Sequence, residues 1–149
     1  METFLVQNRK QTENLAKMLA SEILKYRIDK KQVYPERSRG ALVFGFVGNL
    51  GAGKTTFIQS FAKGLGIRGR LTSPTFVLMK KYNNLYHLDC YRIKDFKDIL
   101  ALDFAEIVAD LKNIIVIEWA EKIKKILPKD TVWIKFKILP QNKRKIIIE

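Results

Sequence analysis

A glycine-rich segment in the first half of the chain, residues 48–55 (GNLGAGKT), constrains the fold more than any other feature. It fits the pattern G-x-x-x-x-G-K-[ST], in which glycines allow backbone conformations that side chains forbid, so that successive N–H groups can point at one anion. Residues 41–47 (ALVFGFV), directly before it, form the near-continuous apolar run typical of a strand buried on both faces. The sequence therefore predicts a buried strand, a phosphate-binding glycine loop (residues 48–53) and a helix in succession.

The helix after the glycine loop is expected to take part in phosphate binding. Residues 54 to about 65 have helical apolar spacing, and Gly66 follows where a C-terminal cap glycine belongs. The N-terminus of such a helix offers unpaired N–H groups and the positive end of its dipole to an anion. We expect Lys54 to reach the β- and γ-phosphates of a nucleotide, and the Thr55 hydroxyl to ligate Mg²⁺.

The rest of the pattern predicts an α/β fold with parallel core strands and antiparallel hairpins in one mixed sheet. A first helix is predicted from an N-cap at Thr12 to about residue 26, followed by a surface loop over residues 27–40. Strands are predicted at residues 3–7, 41–47, 76–82, 85–91, 114–117, 132–139 and 144–148, and short helices within residues 95–111 and 121–127. Asn83 and Asn84, which tolerate positive φ, predict an antiparallel hairpin between the strands at 76–82 and 85–91. We expect a single domain, residues 1–149, with the three-layer fold of a P-loop NTPase.

Two acidic residues end predicted strands and are candidates for holding a metal ion or its water. Glu118 ends the apolar run IIVIE before Trp119, a partly buried setting that is unfavourable for a carboxylate without a partner. Asp89 ends the strand LYHLD and could supply a second carboxylate to the same site. His87 and Cys90, beside Asp89, are interpreted as a structural histidine and a core residue.

A hydroxyl-rich segment at residues 71–76 (LTSPTF) allows two interpretations. It is either a loop that enters the next strand, with Pro74 setting the turn, or a switch in which Thr75 senses a γ-phosphate or Mg²⁺. The residues alone leave both interpretations open.

The formal net charge of +13 favours an anionic partner, although a solvated surface explains it equally well. The distribution of charge is more informative: residues 41–80 contain five basic residues and no acidic one, and residues 81–120 contain seven acidic and five basic residues. A positive stretch followed by carboxylates suits an anion bound together with a metal ion.

Composition excludes several classes of protein. The single cysteine cannot form an internal disulfide or a multi-cysteine metal site. No apolar run is long enough to span a membrane, and the first residues do not have the layout of a signal peptide. We therefore expect a cytoplasmic protein with no membrane association.

Four segments in this order, GNLGAGKTTF, LTSPTFVL, YHLDCYRI and VIEWAEKI, resemble the TsaE family of small bacterial ATPases required for making threonylcarbamoyladenosine in tRNA. The glycine loop alone indicates only an NTPase, and the combination with SPTF, HLD-x-YR and IEW is far more specific. The likeness covers nearly the whole chain, from about residue 12 to residue 149.

The resemblance implies roles for individual residues. It places a switch-like loop at Ser73, Pro74 and Thr75. The implied nucleotide-binding residues are Thr12, Leu50, Gly51, Ala52, Gly53, Lys54, Thr55, Thr56, Trp119 and Arg144. The implied catalytic residues are Lys54, Asp89, Glu118 and Thr75, and the implied magnesium ligands are Thr55, Glu118 and Asp89. ATP and Mg²⁺ are the cofactors that follow.

The resemblance also implies partners. TsaE works with TsaB and TsaD, of which TsaD transfers the threonylcarbamoyl group to tRNA, and ATP hydrolysis by TsaE resets that complex. Contact with tRNA would be indirect, and direct contact stays open. The chain departs from the family at Cys90, where an apolar residue is usual, and in a longer, more basic segment over residues 27–40.

Two other functions compete with an ATPase that serves a tRNA-modifying complex. A small-molecule kinase would need a lid and an acceptor pocket, and no lid-like insertion follows the second predicted helix. A basic nucleic-acid-binding module with incidental ATP binding agrees with the net charge, and it predicts salt-dependent RNA binding that survives Lys54→Ala.

Overall fold

One sheet of seven strands runs through the part of the chain that the computed structural model describes, residues 1–33, 40–69, 71–72, 74 and 77–149. The strands are β1 (Glu2–Val6), β2 (Leu42–Val47), β3 (Met79–Tyr82), β4 (Leu85–Asp89), β5 (Ile114–Glu118), β6 (Val132–Ile138) and β7 (Arg144–Ile148). Their order across the sheet is β1-β7-β6-β2-β5-β4-β3.

The centre of the sheet is parallel and its edges are antiparallel. β2 pairs in parallel with β5 on one side and β6 on the other, and β4 is parallel to β5. β3, β7 and β1 add antiparallel pairs at the edges. Every residue of β5 is buried, as expected of a strand covered on both faces. The mixed sheet confirms the predicted fold class, and the turn at Asn83, with φ 55°, confirms the first hairpin.

Two long helices cover one face of the sheet. They are α1 (Arg9–Val33) and α2 (Lys54–Gly64). Phe44 and Phe46 of β2 point to this face, where the ring of Phe44 lies 5.2 Å from that of Phe61 in α2. Gly66, with φ 82°, ends α2: its N–H donates to the Lys63 carbonyl at 3.0 Å, which confirms the predicted cap.

Shorter elements cover the opposite face. They are α3 (Lys97–Leu100), α4 (Phe104–Ala109) and a 3₁₀ segment (Ala120–Ile126) that directly follows β5. A second core, distinct from the first, forms between them and residues such as Val43, Ile115 and Ile117. The structure therefore has three layers. No helix among the described residues combines the length and the hydropathy needed to cross a bilayer.

A glycine in the central strand sets how closely the 3₁₀ segment approaches the sheet. A Cβ added to Gly45 would lie 3.0 Å from the Ala120 Cβ and 3.0 Å from ring atoms of Trp133. Contacts this short force neighbouring groups apart. The absence of a side chain at Gly45 thus fixes the start of the 3₁₀ segment, directly after Glu118 and Trp119.

The predicted start and end of the first helix were wrong. The N-cap is Asn8, whose Oδ1 accepts the Gln11 N–H at 3.0 Å, while the side chain of Gln11 accepts the Gln7 N–H at 2.7 Å. Such paired bonds define a helix start better than a hydroxyl one turn later. At the other end, the helix continues to Val33, and Arg27, where the surface loop was predicted to begin, donates to the carbonyls of Lys112 and Asn113. Residues 34–39 lie outside the described part.

Two further boundaries differ from the predictions. The strand predicted to reach residue 91 ends at Asp89, because the Asp89 Oδ1 accepts the Tyr91 N–H at 2.9 Å and turns the chain. The strand predicted from residue 76 begins at Met79, and Phe76 is not among the described residues.

The predicted helix over residues 121–127 is a 3₁₀ segment. It is interrupted at Ile123, whose φ of −117° and ψ of 17° are not helical, so it consists of two short turns, as is usual for 3₁₀ structure.

We expect Gly45→Val to destabilise the fold by about 1–3 kcal/mol through overpacking. The free energy of unfolding in urea measures the effect. Thr3→Val, which adds the same side chain at an exposed strand position, is the matched control and should leave the value nearly unchanged. A Gly45→Val protein as stable as the parent would refute the close-approach argument.

Candidate functional site

The glycine loop connects β2 to α2 at the carboxyl end of the parallel strands. Gly51 and Gly53 have φ angles of 75° and 105°, which side chains rarely adopt. A Cβ on either residue would meet no other atom within 4 Å, so the outer side of the loop is clear. Ala52 is buried and anchors the loop in the core, whereas Leu50 is exposed.

The N-terminus of α2 faces this loop without a capping side chain. Gly53 is the N-cap, and the first turn contains no acidic residue. The Phe57 N–H donates to the Gly53 carbonyl at 3.0 Å, so the amides of the turn before it have no partner within the helix. Thr56 is half-buried in this first turn. The arrangement offers an anion several donors and the positive end of a helix dipole.

Lys54 is a buried cation held against the loop. Its Nζ donates to the carbonyls of Gly48 at 2.5 Å and Asn49 at 3.0 Å, and lies 4.2 Å from the ring centroid of Trp119. Burial lowers the pKa of the Lys54 ammonium, and nearby carboxylates, Glu118 foremost, act in the opposite direction. Loop carbonyls and an indole face thus accommodate the charge.

The Glu118 carboxylate lies between two hydrogen-bonding side chains. Its Oε2 accepts from the Thr55 hydroxyl at 3.0 Å, and its Oε1 lies 3.0 Å from the His87 Nε2. The Glu118 side chain is only 5% exposed. The structure therefore joins Thr55 of α2 and Glu118 of β5, as the sequence predicted.

Asp89 lies beside Glu118, because the two end neighbouring parallel strands and are paired in register. Its side-chain Oδ1 accepts the Tyr91 N–H, and β4 ends at this residue. Among the described residues, no group of three or more His, Cys, Asp and Glu side chains is arranged to hold a metal. A cation here would need further oxygens, as Mg²⁺ commonly obtains from phosphates and water.

Trp119 has an unusual backbone for a bulky residue. Its φ is 57°, in the left-handed region where such residues are uncommon and strain occurs. This conformation starts the 3₁₀ segment and places the indole against both Lys54 and Tyr91, whose ring centroid is 5.1 Å away. Lys122 donates to the Tyr91 carbonyl and closes the cluster.

The remaining predicted site residues lie at different distances from the glycine loop. The Arg144 Nη2 donates to the Gly51 carbonyl at 3.4 Å, so β7 reaches the glycine loop. Thr12 is buried in the first turn of α1, and its hydroxyl donates locally to the Asn8 carbonyl at 3.4 Å. Pro74 is buried. Ser73 and Thr75 lie outside the described residues.

Sequence reasoning missed the partner of Glu118. His87 was interpreted as a structural histidine, yet it contacts the carboxylate predicted to hold a metal. The alternation of side chains along a strand could have predicted this contact. His87 and Asp89 are two residues apart, so they lie on the same face of β4. Tyr91, which packs on Trp119, was also not singled out.

Residues 6–146 match the family model described as "Threonylcarbamoyl adenosine biosynthesis protein TsaE". The chain belongs to the TsaE family. Its relatives include proteins named "tRNA threonylcarbamoyladenosine biosynthesis protein TsaE" from three bacteria. That of Treponema pallidum is 39% identical over 68% of this chain and 76% of its own. That of Bacillus subtilis is 42% identical over 66% and 63%, and that of Borreliella burgdorferi is 33% identical over 78% and 92%.

The fold also matches a solved structure. The crystal structure of Bacillus subtilis YdiB superposes with a TM-score of 0.70 at 27% identity, covering 99% of this chain and 83% of that one. The similarity supports the mixed α/β architecture that positions the glycine loop, Glu118 and Asp89 at one edge.

We expect Cys90 to be unreactive in the folded protein. Burial, the larger cause, and the charge of Asp89 raise the pKa of the Cys90 thiol to about 12. Only the thiolate attacks disulfide reagents, so labelling by Ellman's reagent at pH 8 should be slower by about a thousandfold than after unfolding in guanidinium. Thr3→Cys, at an exposed position, is the control and should label at once. Equal rates at the two sites would contradict this.

Proposed function

We propose that residues 1–149 form a single P-loop ATPase domain that hydrolyses Mg-ATP in the service of threonylcarbamoyladenosine formation in tRNA. The observation that carries the proposal is the 3.0 Å hydrogen bond from Thr55 to Glu118, beside a glycine loop that ends at a buried lysine. Together they place hydrogen-bond donors for phosphate and oxygen ligands for a cation at the same edge of the sheet.

The loop residues fit a triphosphate. The positive φ angles of Gly51 and Gly53, with open space where their side chains would be, leave backbone amides accessible. Lys54 would exchange its present carbonyl partners for phosphate oxygens, which are stronger acceptors because they are charged. Arg144, Thr12, Leu50 and Trp119 complete the proposed nucleotide-binding set with Ala52 and Thr56.

The residues around Thr55 fit Mg²⁺. The Thr55 hydroxyl donates its proton to Glu118, so its oxygen lone pairs are directed elsewhere and are available to a hard cation. Glu118 and Asp89 add carboxylates from adjacent strands. When bound, Mg²⁺ would neutralise charge on the phosphate oxygens.

Hydrolysis requires little covalent chemistry from the chain. Phosphoryl transfer is accelerated mainly by positioning and by electrostatic stabilisation. We assign Asp89 and Glu118 to orienting the attacking water or the metal, and Lys54 to the developing charge. Thr75 is proposed as a γ-phosphate sensor from its hydroxyl-rich segment and from the family resemblance. Turnover should be slow until a partner completes the site.

The names of the relatives support the cellular role. They are tRNA threonylcarbamoyladenosine biosynthesis proteins, and the family resemblance implies the TsaB–TsaD pair as the partner whose cycle ATP hydrolysis resets. The charge of +13 favours a second candidate function, direct binding of tRNA. Binding that survives Lys54→Ala and weakens steeply with salt would support that function.

We expect Lys54→Ala to weaken ATP binding by about 10- to 100-fold, the effect of losing charge-assisted hydrogen bonds. Isothermal calorimetry with Mg-ATP measures it. Lys63→Ala removes an exposed lysine from the other end of α2 and is the matched control. Equal affinity in the two variants would show that Lys54 does not hold phosphate.

We expect Glu118→Ala to bind ATP but to release phosphate about 100-fold more slowly or worse, and Asp89→Ala to behave likewise. Phosphate release is measured with and without the TsaB–TsaD pair. Stimulation of the parent protein by the pair supports the accessory role. No stimulation, or transfer of the phosphate to a small metabolite, would overturn it.

A further inference from the structure

The His87–Glu118 pair is a polar contact inside an apolar layer. His87 is 0% exposed and lies on the β4 face that packs under α2, between Leu85 and Asp89 on that face. A purely space-filling residue at this position would be apolar. Packing alone therefore does not explain an imidazole at this position.

The hydrogen bonds of the ring identify which nitrogen holds its proton. The Nε2 faces the Glu118 Oε1 at 3.0 Å, while the buried Nδ1 has no hydrogen-bond partner among the described residues. A buried N–H without an acceptor is more unfavourable than a bare ring nitrogen. A proton on Nε2 satisfies the contact, and His87 is then the donor to Glu118.

This donor restricts the carboxylate. The Oε1 is bound to β4 through His87, so rotation about the last side-chain bond of Glu118 would break that contact. The Oε2 is left facing the Thr55 hydroxyl and the glycine loop. Two donors on opposite oxygens hold one carboxylate orientation, in the way that outer hydrogen bonds orient the ligands of metal sites.

We propose that His87 is a positioning residue, whose Nε2–H fixes Glu118 in the orientation that presents Thr55 and Glu118 to the divalent cation of a bound nucleotide. The proposal rests on the proposed function of this site. His87 contacts neither the cation nor the nucleotide and acts through Glu118 alone.

Three substitutions test the role. In His87→Gln, the amide nitrogen reaches the place of the ring Nε2 and keeps the donor. In His87→Asn, the shorter side chain places its amide near the Nδ1 and cannot reach Glu118. His87→Phe keeps the ring shape and removes the donor. Thermal unfolding without ligand shows which variants fold, and the Gln and Asn variants suffice if the Phe variant does not.

The decisive measurement is the affinity of the protein–ADP complex for Mn²⁺, a paramagnetic substitute for Mg²⁺, by electron paramagnetic resonance. We expect the Phe and Asn variants to lose about 10- to 100-fold and the Gln variant to stay within about threefold of the parent. ADP binding in EDTA, measured by calorimetry, should be unchanged in all three. Folded Phe or Asn variants with parental Mn²⁺ affinity, or a Gln variant as weak as these, would overturn the proposal.

A double-mutant cycle separates action through Glu118 from a general structural effect. Combined with Glu118→Gln, His87→Phe should lower Mn²⁺ affinity no further, because the group it positions is already altered. Additive losses would contradict the proposal. If the parent protein bound no Mn²⁺–ADP at all, the proposed function itself would fail, which distinguishes the two failures.

Discussion

The hydrogen-bonded carboxylate of Glu118 is the interaction on which the site depends. A carboxylate this buried destabilises a protein unless donors satisfy it. One donor, Thr55, comes from the helix that follows the glycine loop, and the other, His87, comes from the adjacent strand. The bonds that make the burial tolerable also join the proposed phosphate-binding and cation-binding parts of the site, so stability and the proposed chemistry share the same contacts.

The parallel pairing of β2, β5 and β4 is what makes these contacts possible. Because the strands run in one direction, their carboxyl ends meet at one edge, where the loop after β2, Glu118 and Asp89 lie together. The antiparallel strands also contribute to this edge, although they lie further from the glycine loop. β7 brings Arg144 to the carbonyl of Gly51, so an edge hairpin contacts the loop formed by the sheet's centre.

The sequence predicted the parts of the fold that local chemistry determines. The glycine loop, the Gly66 cap and the Asn83 turn each need particular residues, and apolar runs identified β2 and β5. The features that the sequence did not predict depend on contacts between side chains and residues outside their own local pattern. Asn8 rather than Thr12 caps α1 because Gln11 completes the pairing, and Arg27, inside α1, bonds to the carbonyls of two residues just before β5. The meeting of Thr55 and Glu118 was predicted from a motif, whereas the meeting of His87 and Glu118 needed the strand register.

Gly45, in the central strand β2, influences the carboxyl edge of the sheet where the site lies. It touches no group of the site, yet the space it leaves empty determines where Ala120 sits and hence where the backbone of Glu118 and Trp119 ends its strand. In a mutational screen for loss of nucleotide binding, larger side chains at Gly45 would therefore be grouped with substitutions of the binding residues. Its defect would be one of placement: a smaller residue at Trp133 would relieve only one of the two close contacts, and no change among the charged groups would relieve either.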